Sequence, residues 1–149
     1  MIFLGLGSNK GNRHAQIARA LGELSLAGVH VLRCASLIET PPWGNEDQPA
    51  FINTVVEVAY DGSAQELLTI VLSIETNMGR IREEKWGPRV IDIDILEFRR
   101  HIIDEPGLQI PHPWYTSRAF VLRSMVELEP YWVPTGGDES VSGLLEKLT

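Results

Sequence analysis

Within the segment Val90-Ile91-Asp92-Ile93-Asp94-Ile95-Leu96, two aspartates two positions apart break an otherwise apolar run. The β-branched residues around them favour an extended strand. On a strand, positions i and i+2 share a face, about 6.6 Å apart at about 3.3 Å per residue. Two carboxylates aimed the same way repel unless a cation lies between them. Magnesium carrying phosphate oxygens suits such a pair, because it takes one or two carboxylates and fills its shell with phosphate and water. An antiparallel strand with one solvated face produces the same alternation, so the strand alone leaves both readings open.

The preceding residues favour the first. Arg80, Arg82, Lys85 and Arg89 place four cations within ten residues, and Gly79, Gly87 and Pro88 mark the stretch as loop. Arginine binds phosphate through a fork and lysine as a point charge, so a cationic loop beside two carboxylates suits a metal-bound polyphosphate. Glu83 and Glu84 keep a simple solvated charged loop in play.

The 149 residues are read as one domain, residues 1–149, long enough to bury about two-thirds of the unfolded surface. A formal charge of −7 argues against nucleic acid as the main partner, since phosphate backbones need a broad basic face. Cys34 is the sole cysteine, which rules out an internal disulfide and any multi-cysteine metal site. Its apolar surroundings suggest a buried structural thiol. No apolar run reaches membrane-spanning length, so the expectation is a cytoplasmic protein with no membrane partner.

Element signals follow in order. Ile2 to Leu6 reads as a buried strand. Asn12 is placed to cap a helix carrying Ile17, Leu21 and Leu24, which Gly28 ends. Val29 to Ile38 and Phe51 to Tyr60 read as strands, with a loop from Thr40 to Pro49. Ser63 and Glu66 form a capping box ahead of a helix that Gly79 stops, and Val90 to Phe98 is the fourth strand. Strand, helix, strand, strand, helix, strand is the α+β ferredoxin-like order, with a mainly antiparallel sheet. Right-handed crossovers put both helices on one face of it. Ile102-Ile103 suggests a short extra strand, and helices are expected near Thr116–Leu128 and Val141–Leu148.

Some signals mislead. Gly5-Leu6-Gly7 follows a strand, but no third glycine comes at dinucleotide-binding spacing and no Walker lysine is present. Those glycines are read as permitting a tight turn. His112 is held between Pro111 and Pro113, either as a phosphate contact or as a surface histidine. Phe51 and Phe120 read as core residues by default. Trp43 and Trp86 lie in loops, where a planar ligand or partial burial against the sheet would account for them.

The pieces Gly7-Ser8-Asn9, Thr40-Pro41-Pro42, Asp47-Gln48-Pro49, Phe51 with Asn53, Glu75, Gly79-Arg80-Ile81-Arg82, Trp86-Gly87-Pro88-Arg89, Asp92-Ile93-Asp94 and Pro111-His112-Pro113 with Arg118 and Phe120 span nearly the whole chain. In that order they resemble the 6-hydroxymethyl-7,8-dihydropterin pyrophosphokinases of folate biosynthesis. The resemblance implies transfer of the β,γ-diphosphate of ATP to the pterin hydroxymethyl group, with release of AMP, using two magnesium ions; the chain itself is expected to be a monomer. The resemblance also implies that Asp92 and Asp94 hold both metals and that Arg80, Arg82, Arg89, His112 and Arg118 contact the phosphates, Arg80 and Arg82 as catalytic residues. Glu75, Lys85, Trp86 and Ile95 complete the ATP site. Phe51 and Phe120 sandwich the pterin, whose edge is read by Thr40, Pro42, Trp43 and Asn53, with Asp92 also beside it.

The chain departs from the family pattern in three places. Lys85 stands where arginine is common, Trp114-Tyr115-Thr116 where many members carry a basic residue, and Trp43 where a smaller apolar residue is usual. The competing class is a non-catalytic ferredoxin-like module that binds a nucleotide without turning it over. The intact Asp92, Asp94, Arg80 and Arg82 set speak against it, because a sensor needs no two-carboxylate metal pair.

Overall fold

A computed structural model describes residues 1–42, 47–79 and 89–149. In chain order the elements are β1 (Ile2–Ser8), α1 (Arg13–Leu26), β2 (His30–Cys34), β3 (Ile38–Thr40), β4 (Phe51–Ala59), α2 (Ala64–Asn77) and β5 (Asp92–Phe98). A hairpin of β6 (Ile103–Glu105) and β7 (Leu108–Ile110), a short 3-10 turn (Tyr115–Ser117), α3 (Ala119–Leu128) and α4 (Val141–Leu148) follow. The main sheet runs β2-β4-β1-β5, with β3 also paired to β4 and each pair antiparallel. This is the expected α+β order, with β2 and β3 together filling the second strand position.

Local chemistry sets the helix starts. The Asn12 side chain accepts the Ala15 N–H at 3.1 Å, opening α1. Ser63 Oγ accepts the Glu66 N–H and Glu66 Oε1 accepts the Ser63 N–H, both at 3.1 Å, so the capping box forms at α2. Ile17, Ala20 and Leu24 of α1 and Leu67, Val71 and Ile74 of α2 are buried on one sheet face against Leu4, Leu6, Ile93 and Ile95. Each such aliphatic side chain contributes about 1.5–3 kcal/mol on burial. The opposite face carries a second core, in which Phe3, Val55 and Leu96 meet Tyr115, Leu122 and Met125, with Trp132 and Val141 beyond. No helix among the described residues is long and apolar enough to cross a membrane.

Several expectations are corrected. The strand read over Val29–Ile38 is two strands, so Thr40 ends β3 and is not loop. Ser36 causes the break: its N–H and hydroxyl both bond the Glu127 carboxylate, at 2.9 and 2.7 Å, drawing the chain off the ladder. Cys34 is exposed, not buried. It lies on the edge strand β2, where Val31 and Arg33 are half-buried and Leu32 and Cys34 exposed. Gly5 and Gly7 form no turn but lie inside β1. The extra strand starts at Ile103 and pairs in a hairpin. The helix expected from Thr116 begins at Ala119, after the 3-10 turn.

Candidate active site

On the sheet face with the second core, α3 and α4 leave part of the surface uncovered. A cleft of about 1220 Å³ lies there. Strand register builds its floor. Gly7 of β1 stands between Asn53 of β4 and Asp92 of β5, and Gly5 between Val55 and Asp94. Bare glycines leave room for the flanking side chains to converge. A Cβ on Gly7 would sit 2.7 Å from Asn53 Oδ1.

Asp92 and Asp94 are half-buried while Ile93 and Ile95 are buried, which is the alternation read from the sequence. Glu75 of α2, 1 % exposed, reaches β5 and accepts the Ile93 N–H between the two aspartates at 2.8 Å. Arg89 Nη1 stands 3.4 Å from Asp92 Oδ1. His112 Nε2 lies 4.0 Å from Asp94 Oδ2. His112 Nδ1 accepts the Trp114 N–H at 3.2 Å, so the neutral ring carries its proton on Nε2, facing the carboxylate. Burial, aided by the Arg118 charge and opposed by Asp92, lowers the His112 pKa to about 4. At neutral pH this histidine is therefore a neutral hydrogen-bond donor in the cleft.

The other wall is aromatic and amide. Phe51 of β4 and Phe120, in the first turn of α3, both line the cleft and are half-buried. Asn53 Nδ2 donates to Thr40 Oγ1 at 2.6 Å, fixing the amide plane beside Phe51. Past β5 the cleft continues between Leu68, Leu72 and Glu75 of α2 and the β6–β7 hairpin, with Ile95 at the join.

Of the expected site residues, Thr40, Phe51, Asn53, Glu75, Arg89, Asp92, Asp94, Ile95, His112, Arg118 and Phe120 line this one cleft. Pro42, half-buried just past β3, is not among the lining residues. Trp43, Arg80, Arg82, Lys85 and Trp86 lie outside the described residues.

Asn9 was not anticipated as a site residue. Fully buried, it accepts the Arg89 N–H on Oδ1 at 2.7 Å and donates from Nδ2 to Gln48 Oε1 and the Pro49 carbonyl, each at 3.1 Å. One amide thus ties the Gln48–Pro49 segment to the start of the β5 approach. Its only sequence signal was membership of Gly7-Ser8-Asn9, too short to stand alone.

The donor set also speaks to metal. Among the described residues no three His, Cys, Asp or Glu side chains converge as a closed cage. Two carboxylates on one face fit magnesium, which leaves most of its shell to phosphate and water.

Comparison with known proteins agrees with this geometry. The family model for 7,8-dihydro-6-hydroxymethylpterin-pyrophosphokinase (HPPK) matches residues 3–130. The 2-amino-4-hydroxy-6-hydroxymethyldihydropteridine pyrophosphokinase of Methylorubrum extorquens is 41% identical over 147 residues, 98% of this chain and 92% of that protein. The enzyme of the same name from Bacillus subtilis is 41% identical over 127 residues, 85% of this chain and 76% of its own. The crystal structure of Plasmodium falciparum HPPK-DHPS wild type with pteroate superposes with a TM-score of 0.76 at 16% identity, over 98% of this chain and 42% of that longer one. On the family match and these relatives, with the fold in accord, the chain belongs to the 7,8-dihydro-6-hydroxymethylpterin-pyrophosphokinase family.

Proposed function

We propose that this protein transfers the β,γ-diphosphate of ATP to 6-hydroxymethyl-7,8-dihydropterin, yielding the pterin diphosphate and AMP in folate biosynthesis. The observation that carries the reading is a cleft whose one wall is Asp92 and Asp94 and whose other is Phe51, Asn53 and Phe120. The flat heterocycle stacks between the two phenylalanines, and Asn53 with Thr40 reads its hydrogen-bonding edge. The polyphosphate lies over β5 within reach of Arg89, His112 and Arg118, with Arg80, Arg82, Lys85 and Trp86 of the neighbouring segment completing the ATP site. Glu75 and Ile95 border the nucleoside end. The hydroxymethyl oxygen attacks the β-phosphorus and gives up its proton to water, the bond from that phosphorus to the α,β-bridging oxygen breaks, and AMP leaves with the electron pair.

Such a transfer depends on positioning and charge neutralisation more than on covalent work by the protein. Asp92 and Asp94 would hold two magnesium ions, whose positive charge neutralises the phosphates and acidifies the attacking hydroxyl. His112 donates Nε2–H to phosphate as a neutral group, and the arginines meet the charge that develops on AMP. Residues 1–149 serve as one pyrophosphokinase domain, acting as a monomer. Its ATP supply is the cytoplasmic pool. A module that binds nucleotide without turnover gains no support from the relatives, which are named as pyrophosphokinases.

A coupled assay for AMP tests the reading. AMP release should require ATP, magnesium and the pterin together. Release that ignores the pterin, or none with all three present, would refute it.

A further inference from the structure

Glu97 is fully buried outside the substrate cleft, and nothing in the proposed transfer uses it. Strict alternation from Asp92 would place it with Ile93 and Ile95 on the helix-covered face. The β1–β5 register instead shifts between Phe3 and Leu4: Leu4 pairs Ile95 and Phe3 pairs Glu97. Leu96 is the additional residue of a bulge, and it swings Glu97 to the face that carries Asp92 and Asp94. Bulges re-aim side chains in this way beside functional sites.

There the carboxylate gathers four donors. Glu97 Oε2 accepts the Tyr115 hydroxyl at 2.5 Å, the Thr135 N–H at 3.0 Å and Trp132 Nε1 at 3.3 Å, and Oε1 accepts the Thr135 hydroxyl at 2.6 Å. Only one of these partners leads back to the cleft. Tyr115, itself fully buried, opens the 3-10 turn whose end, Arg118, caps α3, and its carbonyl accepts the Arg118 N–H at 3.3 Å. Three residues upstream, the His112 N–H bonds the carbonyl of Leu96, in the same bulge, at 2.9 Å. The segment that carries His112, Arg118 and Phe120 is therefore fastened to β5 at two adjacent points, and β5 carries Asp92 and Asp94.

We infer that Glu97 and Tyr115 form a positioning pair that sets the phosphate-binding residues His112 and Arg118 against the Asp92–Asp94 carboxylates. The inference rests on the functional reading above. A group transfer of this kind falls steeply when reactants shift by about 1 Å, so loosening the joint should slow turnover more than it weakens the protein. Phe120 is held additionally by the α3 core, so pterin affinity should hold.

The test compares Tyr115→Phe with Thr135→Val. Each removes one hydroxyl donor from the same carboxylate, but only the first breaks the path to the cleft. Tyr115→Phe should lower kcat by about 10- to 100-fold, with little change in pterin KM. Thr135→Val should show a similar loss in Tm and retain wild-type kcat. Glu97→Gln should repeat the Tyr115→Phe defect, and the double variant should add little to it, as expected for two halves of one contact. The inference is overturned if both single hydroxyl deletions slow turnover alike, or if Tyr115→Phe and Glu97→Gln keep wild-type kcat. A wild-type chain that releases no AMP would overturn the functional reading itself, and this inference with it, so the two failures are told apart.

Discussion

The two faces of the one sheet make opposite use of the same strands. One face presents Leu4, Leu6, Ile93 and Ile95 to α1 and α2 and is closed by aliphatic packing. The other presents Gly5, Gly7, Asn53, Asp92 and Asp94, and there α3 and α4 cover only the end bearing Phe3, Val55 and Leu96. Period-two alternation thus delivers a core residue and a site residue from adjacent positions of β5. The rigidity of the closed face holds the open one in register, so the precision of the aspartate pair comes from packing across the sheet from it.

That division predicts that changes on the two faces fail differently. Asp94→Asn should cut turnover by roughly 10²- to 10³-fold, the equivalent of about 2.7–4 kcal/mol for a well-placed charge contact, with Tm nearly unchanged. Leu24→Ala, on the fully buried face of α1, should cost about 2–5 kcal/mol of stability and leave kcat near wild type where the protein is folded. Steady-state kinetics beside thermal melts on both variants checks this. Wild-type turnover from Asp94→Asn at saturating ATP and magnesium would end the metal assignment.

What the sequence made legible were local patterns. The Asp92–Asp94 alternation, the Asn12 cap and the Ser63–Glu66 capping box each depend on residues within a few positions, and each formed as read. What it hid depends on distant partners. The bulge that redirects Glu97 is set by β1, more than ninety residues away in sequence. The exposure of Cys34 depends on β2 lying at the sheet edge, and the break after it on Glu127 of α3. Gly5 and Gly7 looked like turn residues because glycine permits turns. They serve as cleft floor because their neighbours across the sheet are Asn53, Val55, Asp92 and Asp94.

Within the open face, the aromatic wall should separate from the charged one. Phe120→Ala removes ring stacking worth on the order of 1–3 kcal/mol. The loss should appear mainly as weaker pterin binding, with a smaller effect on saturated turnover. Pterin titrations beside kinetics would show it, and a variant that binds pterin normally but turns over slowly would displace the ring from Phe120. Gly7→Ala should act more weakly on the same substrate. Its methyl meets Asn53 Oδ1 at 2.7 Å and forces that side chain off Thr40, at about 1 kcal/mol, the low end of overpacking costs. Pterin affinity should fall while affinity for a non-hydrolysable ATP analogue holds. Equal loss of both ligands would mean that the strand itself had moved.

The remaining effect concerns His112 and the stability of the ligand-free protein, and it is absent at neutral pH. Burial beside Arg118 lowers its pKa to about 4 from the ordinary 6.5, against the opposing pull of Asp92. Below pH 6.5 the unfolded chain takes up a proton that the folded chain refuses until about pH 4. The unfolded state therefore binds more protons across that window, and stability must fall as pH falls through it. Above the window both states hold a neutral ring and the contribution is flat. His112→Gln lacks this proton uptake, so its stability should decline less steeply between about pH 6.5 and 4. Carboxylates shared by the two proteins titrate in both and largely cancel in the difference. Denaturant midpoints measured in parallel across the window supply the comparison. Parallel curves for the two proteins would mean that the folded His112 takes up its proton near the ordinary 6.5 and that the cleft does not hold it neutral.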